Sequence, residues 1–292
     1  MLPNNTATPS KLHAELYLLF IPIIFGSSFV AVKVALGYIT PFLFLSLRFL
    51  LAAVIMMILF RKSIMRIDRK TLLAGFVVGF FIGIAYGTIT YGLNYITASK
   101  SVFIVGTFVV IVPIFSVIFE KIIPRKLLWF GIFLAVAGLY LLTTPEGNRF
   151  NIGDGITAIG SVALGAHTVA LQIYSKRHDF VQLAFLQIFA IAVGSLLAML
   201  LFETPAIEIN FSLISIIVGT AMLPTVLCFY IVTKYQRHTS STRAAIIYSF
   251  EPVTGALTAY FILGESLGMK GILGGALIFA GMIVSGLKKS KS

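Results

Sequence analysis

Residues 41–95 read PFLFLSLRFLLAAVIMMILFRKSIMRIDRKTLLAGFVVGFFIGIAYGTITYGLNY. Two apolar stretches, 41–60 and 72–95, are each close to the ~20 residues that cross a hydrocarbon core of ~30 Å. The connection between them carries five basic residues, Arg61, Lys62, Arg66, Arg69 and Lys70. This arrangement predicts two membrane helices joined on one side of a bilayer.

The same pattern extends along the whole chain. The predicted spans are 15–36, 41–60, 72–95, 101–119, 127–143, 155–175, 180–202, 212–233, 244–263 and 271–287. Of the 22 Lys and Arg residues, 17 lie on one set of alternate connections and at the termini, whereas only Lys100, Arg149 and Lys270 lie on the other set. Short connections rich in Lys and Arg stay in the cytoplasm. We therefore expect a multi-pass protein of the cell inner (plasma) membrane with both termini cytoplasmic.

Composition supports a membrane class and restricts the partners. Hydrophobic residues make up 59% of the chain and charged residues 11%, which is far from the soluble average. The net charge of +12 is dispersed over loops as an orientation signal, so we expect the lipid bilayer and a small molecule as partners, and no nucleic acid. Cys228 is the single cysteine and lies inside a span. One embedded His and one Cys cannot form a metal cluster, and we predict neither a metal nor a cofactor.

An internal repeat divides the chain. Lys100, Gly131 and Gly138 recur as Arg243, Gly274 and Gly281, each displaced by 143 residues. Each half holds five spans, and because five is odd the second half is inverted relative to the first, as in many transporters. The predicted fold is an all-α membrane protein with ten transmembrane helices in two inverted five-helix repeats. The predicted divisions are a tail at 1–14, repeats at 15–145 and 150–287, and a basic tail at 288–292.

Several stretches resemble the drug/metabolite transporter (DMT) superfamily, specifically its EamA-type ten-helix members. They are Phe25-Gly-Ser-Ser-Phe-Val-Ala-Val-Lys33, Pro113 with Gly131 and Gly138 downstream, Thr242-Arg-Ala-Ala245, Glu251-Pro-Val253 and Gly264-Glu265. The resemblance implies a secondary carrier of small metabolites, often an exporter of amino acids, with a central cavity between the halves. Many relatives have Trp where this chain has Phe25, so an indole N–H donor is lost there.

Ionisable side chains at membrane depth cost ~2.5–3.5 kcal/mol each on insertion scales, and therefore need a reason. Glu251 lies near the middle of the ninth span, on a helix face shared with Tyr248. It could contact substrate or take up a coupling proton, or it could hold its helix by a structural hydrogen bond or ion pair. His167 is the only histidine inside a span. It could bind substrate or relay a proton, or it could be a satisfied packing residue.

The remaining candidates are an arginine within a span, three tyrosines and two serines. Arg48 could pair with a carboxylate or with the terminal carbonyls of a helix, or its planar fork could hold a substrate carboxylate. Tyr86, Tyr230 and Tyr248 are candidates for an aromatic cavity wall. Ser27 and Ser28, beside a bend marked by Pro22 and Gly26, could offer their hydroxyls to a ligand.

The inverted repeats and the resemblance to EamA-type carriers together imply a secondary active transporter of small metabolites, working by alternating access and exporting an amino acid or a related metabolite. A proton gradient or substrate exchange would supply the energy, because the chain has no Gly-x4-Gly-Lys-Ser/Thr nucleotide-binding loop. The alternative is efflux of lipophilic cations or drugs, with Glu251 as the counter-charge. A membrane-embedded enzyme is less favoured, since the chain offers no HExxH and no GxSxG sequence.

Overall fold

The computed structural model describes residues 11–120, 126–143, 150–266 and 268–286. Within these residues the chain is helical, and the extended backbone forms a single antiparallel bridge between Ile39 and Ile207. The described residues leave out three predicted segments. These are most of the N-terminal tail, residues 144–149 at the boundary between the repeats, and the basic tail at 288–292.

The first half of the chain forms spans 1 to 5. They are span 1, made of α1 (Lys11–Leu18) and α2 (Ile21–Ala35); span 2, α3 (Pro41–Ile64); span 3, α4 (Arg69–Gly92); span 4, made of α5 (Ala98–Gly106) and α6 (Phe108–Glu120); and span 5, α7 (Lys126–Thr143).

The second half forms spans 6 to 10. They are span 6, α8 (Ile152–Tyr174); span 7, α9 (Phe180–Phe202); span 8, made of α10 (Phe211–Thr220), a π-helical turn (Ala221–Leu227), α11 (Cys228–Tyr235) and a 3₁₀ turn (Gln236–His238); span 9, made of α12 (Ser241–Tyr248) and α13 (Glu251–Leu263); and span 10, α14 (Gly268–Gly286).

The predicted ten-helix membrane fold is confirmed. Spans 1 to 4 and 6 to 9 are each long and apolar enough to cross a membrane, and spans 5 and 10 contain the shorter apolar segments Trp129–Gly138 and Gly268–Gly281. The connections alternate between two ends of the bundle. We call the end with the Arg61–Lys70 connection and Arg237 the basic face, and the end with Asp154, Glu203 and Glu265 the acidic face.

Three predicted spans are broken rather than continuous. Span 1 is interrupted at Leu19 and Phe20, span 4 at Thr107, and span 9 at Ser249 and Phe250. In span 9 the cause is local, because Pro252 has no N–H for a helical bond and occupies the first turn of α13, where none is needed. The break in span 4 needs no proline, since Pro113 lies well inside α6.

Glycines allow the two repeats to cross at spans 5 and 10. A Cβ on Gly138 would lie 2.5 Å from the carbonyl oxygen of Gly274, and one on Gly281 would lie 2.5 Å from that of Gly131. Gly131 corresponds to Gly274 in the repeat, and Gly138 corresponds to Gly281. The contact of Gly138 with Gly274 is therefore equivalent to the contact of Gly281 with Gly131. The same contact is therefore made twice, as at a two-fold interface. This geometry relates α7 and α14 by the inverted repeat.

A second close crossing lies next to the middle of the bundle. A Cβ on Gly26 of α2 would approach the Glu251 carbonyl oxygen to 2.6 Å and the Gly255 nitrogen to 2.8 Å. Gly165 of α8 occupies the corresponding place in the other repeat and packs against Ile111 of α6. These contacts bring spans 1 and 9, and spans 6 and 4, together around a shared interior.

Candidate functional site

A cavity lies between the two repeats and is bounded by spans 1 to 4 and 6 to 9. The empty space between its lining atoms, with its openings included, is about 930 Å³. Six of the eight predicted site residues line it. They are Ser28, Arg48, Tyr86, His167, Tyr248 and Glu251.

The lining follows the internal repeat. All ten lining residues from the second repeat correspond to a lining residue from the first. Lining residues in spans 6 and 7 lie 139 positions after their counterparts in spans 1 and 2 (187 − 48). Lining residues in spans 8 and 9 lie 143 positions after their counterparts in spans 3 and 4 (251 − 108). The pairs are Phe25 with Leu164, Ser28 with His167, Phe29 with Thr168, Arg48 with Gln187, Tyr86 with Phe229, Ile89 with Val232, Thr90 with Thr233, Leu93 with Gln236, Val105 with Tyr248, and Phe108 with Glu251. The cavity therefore lies on the axis that relates the repeats.

The helix breaks in spans 4 and 9 also follow the repeat. Thr107 and Phe250 are 143 residues apart (250 − 107), and each directly precedes a cavity residue, Phe108 or Glu251. Glu251 is thus the first residue of α13, where the partial positive charge of a helix N-terminus favours a carboxylate. Interrupted helices in both halves commonly form the midplane binding sites of carriers.

Arg48 brings a positive charge to the cavity wall. Its side chain is 2% exposed, and its guanidinium carbon lies 5.5 Å from the ring centre of Tyr86 and 5.1 Å from that of Phe49. Its Nε donates a hydrogen bond to the Thr225 hydroxyl at 2.9 Å. Its Nη2 has no hydrogen-bond partner in the described part of the chain. The predicted structural pairing with a carboxylate or with helix carbonyls is not found there.

Thr225 fixes the direction of the Arg48 fork. Its hydroxyl donates to the carbonyl of Thr220, five residues earlier, at 2.8 Å, so the oxygen is left to accept from Arg48. Thr225 lies in the π-helical turn that contains Pro224, and Thr220 directly precedes this turn. Such turns often occur at functional sites, and this one places a hydroxyl beside the buried cation.

Glu251 supplies the opposite charge. Its residue is 7% exposed, and its carboxylate makes no hydrogen bond or ion pair with any other described residue. A charged group at this depth is costly unless it is paired or protonated. The predicted structural partner is therefore not found within the described ranges, and the carboxylate faces the cavity.

His167 belongs to a short polar chain across the cavity wall. Its Nε2 lies 2.7 Å from Gln187 Oε1, and because an amide oxygen only accepts, Nε2 is the donor. The Gln187 amide nitrogen donates to the carbonyl of Leu183 at 3.0 Å and to the Thr233 hydroxyl at 3.3 Å. With the proton on Nε2, Nδ1 of the neutral His167 ring is an acceptor.

Two predicted tyrosines have defined places in the wall. Tyr248 donates to Gln236 Oε1 at 3.2 Å, and Gln236 in turn donates to the carbonyl of Thr168 at 2.9 Å. Tyr86 packs edge-on against Phe49, with ring centres 5.0 Å apart. The Tyr248 hydroxyl is thus held by the protein, whereas the Tyr86 ring stands beside Arg48.

Two predicted site residues lie outside the cavity. Tyr230 stacks on Phe60 with ring centres 5.4 Å apart, contacts Phe180 edge-on at 5.3 Å, and lies beside Lys234. Ser27 lies 3.3 Å from the Thr258 hydroxyl, at the contact between α2 and α13. The neighbouring Ser28 lines the cavity instead.

The cavity also contains polar residues that the sequence reasoning missed. They are Gln187, Thr233 and Gln236. The internal repeat was the signal that could have identified them, because each corresponds to a lining position in the other half. In the described part of the chain, no group of three or more His, Cys, Asp or Glu side chains could hold a metal ion.

The fold and the cavity define a multi-pass membrane protein with the architecture of an inverted-repeat carrier. A profile of the EamA-like transporter family matches residues 12–144 and 151–287. The chain therefore belongs to the EamA-like transporter family.

Similar proteins carry the same general description. The chain is 33% identical over 278 residues to an "Uncharacterized transporter" of Archaeoglobus fulgidus, covering 95% of this chain and 87% of that protein. It is 25% identical over 276 residues to the "Uncharacterized transporter YoaV" of Bacillus subtilis, covering 91% and 94%. A solved crystal structure matches with a TM-score of 0.70 at 18% identity, over 93% of this chain and 95% of that chain. This last similarity concerns the fold alone.

Proposed function

We propose that this protein is a secondary active transporter of small zwitterionic metabolites, with amino acids as the best-fitting class, and that it exports them by alternating access. It is a carrier and not an enzyme in this proposal. It resides in the plasma membrane with both termini in the cytoplasm, an orientation supported by the placement of 17 of its 22 Lys and Arg residues.

One observation carries the proposal: a single cavity contains both an arginine nitrogen without a partner and a carboxylate without a partner. Arg48 suits a carboxylate group, because charge-assisted bonds from a guanidinium are strong and directional. Glu251 suits an ammonium group. A substrate carrying both groups would neutralise both charges at once, which neither an anion nor a cation could do.

The rest of the wall suggests an amphipathic substrate. The first repeat contributes mainly apolar side chains, among them Phe25, Phe29, Ile82, Val105 and Phe108. The second repeat contributes most of the hydrogen-bonding groups, including His167 and Gln187. A zwitterionic head facing the second repeat and Arg48, with an apolar side chain facing the first repeat, would satisfy both surfaces.

Glu251 is also the candidate for the coupling proton. Protonation would remove its charge when no ammonium group is bound, and binding of a cationic group would favour loss of the proton. Proton movement and substrate movement would then be linked through one side chain. Efflux of lipophilic cations remains the second candidate, since Glu251 and the aromatic wall would suit a cation, but Arg48 in the same cavity weighs against it.

The test is counterflow of radiolabelled amino acids in proteoliposomes that contain the purified protein. Unlabelled competitors would be an apolar amino acid, its methyl ester, its N-acetyl derivative, and a lipophilic cation such as tetraphenylphosphonium. We expect only the intact zwitterion to compete well, because the ester lacks the carboxylate and the acetyl derivative lacks the ammonium. Stronger competition by the lipophilic cation than by the zwitterion would favour the second candidate.

The same vesicles test the coupling role of Glu251. With an imposed proton gradient, we expect accelerated flux in the wild type and loss of that acceleration in Glu251→Gln. The matched control is Glu208→Gln, which changes an exposed carboxylate outside the cavity and should leave the gradient effect unchanged. An undiminished gradient effect in Glu251→Gln would remove the coupling role while leaving the substrate class open.

A further inference from the structure

Among the described residues, two ion pairs connect the repeats, one at each face of the bundle. At the acidic face, Lys100 Nζ at the start of α5 lies 2.8 Å from Asp154 Oδ2 at the start of α8. At the basic face, Arg243 Nη1 at the start of α12 lies 2.9 Å from Glu15 Oε1 in α1. Each pair joins a helix of one repeat to a helix of the other.

The two pairs are images of each other under the inverted repeat. Arg243 follows Lys100 by 143 residues (243 − 100), and Asp154 follows Glu15 by 139 residues (154 − 15). These are the intervals that relate the cavity residues in the same spans. The chain therefore makes one contact twice, with spans 4 and 6 at the acidic face and with spans 9 and 1 at the basic face.

At each face, further hydrogen bonds lie beside the ion pair. Next to Lys100, the Glu265 carboxylate accepts hydrogen bonds from the backbone N–H groups of Ala98 and Ser99 at 2.9 and 2.8 Å. At the basic face, Glu15 also accepts a hydrogen bond from the Thr239 hydroxyl at 3.0 Å. At both faces, the ion pair and these hydrogen bonds connect the beginning of an interrupted span to the opposite repeat.

An inverted-repeat carrier opens to one face by separating its repeats there while keeping them together at the other face. Separation at the acidic face must break the Lys100–Asp154 pair, and separation at the basic face must break the Arg243–Glu15 pair. We propose that the two ion pairs are opposing latches, and that loss of either one shifts the protein towards opening at its own face and closing at the other. This inference rests on the proposed alternating-access function.

The latches differ in their exposure to water. The side chains of Lys100 and Asp154 are 5% and 2% exposed, whereas those of Arg243 and Glu15 are 39% and 23% exposed. Salt screens exposed charges much more than buried ones. High ionic strength should therefore weaken the basic-face latch selectively and favour opening at the basic face.

The test measures access to the cavity from each end in lipid nanodiscs. Thr90→Cys lies in the acidic-face half of α4, and its repeat counterpart Thr233→Cys lies in the basic-face half of α11; both positions line the cavity. The reporters are introduced into a Cys228→Ala background, because Cys228 is the only native cysteine. The readout is the labelling rate with a bulky, water-soluble maleimide, and it needs no substrate.

The latch variants are Lys100→Gln and its counterpart Arg243→Gln. We expect Lys100→Gln to raise labelling at Thr90→Cys and to lower it at Thr233→Cys, and Arg243→Gln to do the reverse. Each ratio of rates should change by at least about fivefold, the lower end of typical coupling between sites. Arg69→Gln, a change at an exposed cation of the basic face, should leave both rates unchanged.

Parallel increases at both reporters, or no change at either, would identify the pairs as static braces and overturn the proposal. If Lys100→Gln fails to fold because its partner is buried, Arg243→Gln at the more exposed pair still decides between opposite and parallel changes. Opposite changes without amino-acid flux would keep the latches and reject the substrate class. Amino-acid flux without opposite changes would keep the transporter and reject the latches.

Discussion

At the crossing of α7 and α14, Gly138 and Gly281 hold corresponding positions and make the same contact with the opposite helix. Around the cavity, by contrast, Arg48 corresponds to Gln187 and Phe108 corresponds to Glu251. Both regions lie on the axis of the inverted repeat, yet only the crossing has the same chemistry on both sides. At the crossing the backbones touch, so only glycine fits in either copy. Space in the cavity allows the two copies to carry different side chains.

This difference suggests how a symmetric scaffold obtains a directional site. Equivalent packing in both repeats would allow them to exchange conformations, as alternating access requires. Unequal lining residues would hold one substrate in one orientation. Substitutions that make the cavity more symmetric should then damage transport, while substitutions that disturb the crossing should damage stability.

The largest effect is expected from Arg48→Gln, which gives the first repeat the residue that the second repeat has at Gln187. The variant loses the only cation among the described cavity residues, and hydrogen bonds to charged groups contribute about 1.5–3 kcal/mol. We expect amino-acid flux in proteoliposomes to fall about 10- to 100-fold. Arg48→Lys keeps the charge but loses the planar fork, and should retain part of the flux. Equal flux in Arg48→Gln and the wild type would show that Arg48 does not bind the substrate.

A smaller effect, on stability, is expected from Gly138→Ala and Gly281→Ala. Each new methyl group would lie 2.5 Å from a backbone carbonyl oxygen of the opposite helix, and overpacking of this kind costs about 1–3 kcal/mol. Because the two contacts are images of each other, the two variants should lower the thermal unfolding midpoint in detergent by similar amounts.

Gly194→Ala in α9 is the control for that pair, because no heavy atom lies within 4 Å of its added Cβ. Replacing an unconstrained helical glycine with alanine is favourable by roughly 0.5–1 kcal/mol, so its midpoint should rise slightly or stay the same. A midpoint that falls in only one of the two crossing variants would contradict the equivalence of the two contacts.

An effect of about twofold to tenfold is expected from Thr225→Val. Valine has nearly the same shape as threonine but cannot accept the hydrogen bond from Arg48 Nε, and a typical hydrogen bond contributes about 0.5–1.5 kcal/mol. The substrate concentration at half-maximal flux should rise more than the maximal rate falls, since Thr225 orients Arg48. Thr220→Val is the control, because the Thr220 hydroxyl bonds only to carbonyls within its own helix. Equal effects of the two changes would argue against an orienting role for Thr225.

The sequence predicts the ten spans and their inversion because apolar length, basic connections and an odd number of spans per half are properties of the linear chain. It does not predict the break at Thr107, because the preceding Gly106 is a weak signal: Gly79 and Gly83 lie inside the unbroken helix α4. At the break, the Thr107 hydroxyl donates to the Ile104 carbonyl at 2.7 Å and lies 2.9 Å from the Ser161 hydroxyl of the other repeat. The second of these contacts exists only after the repeats have packed together.

The sequence predicts some residues of the candidate site and misplaces others. Charge at membrane depth identifies Arg48, His167 and Glu251, which the structure brings to one cavity. Depth in the membrane alone points to Tyr230, and depth does not determine which way a side chain faces. The π-helical turn Ala221–Leu227 precedes it, and the wider turn changes the face that all following residues of the span present. As a result, Phe229 and not Tyr230 lines the cavity.

The smallest effect is expected from Tyr230→Phe, which tests whether the cavity boundary runs between Phe229 and Tyr230. The Tyr230 hydroxyl lies 3.4 Å from Lys234 Nζ, a long contact near the basic face, and the ring stacking on Phe60 does not need the hydroxyl. We expect flux and half-saturation to change less than about twofold, since this partly buried contact lies outside the cavity and removing a hydroxyl there leaves the lining unchanged. Tyr248→Phe is the matched comparison, because its hydroxyl donates to Gln236 within the cavity wall. A larger loss from Tyr230→Phe than from Tyr248→Phe would place the substrate on the far side of Phe229, and the repeat correspondence would then no longer define the binding surface.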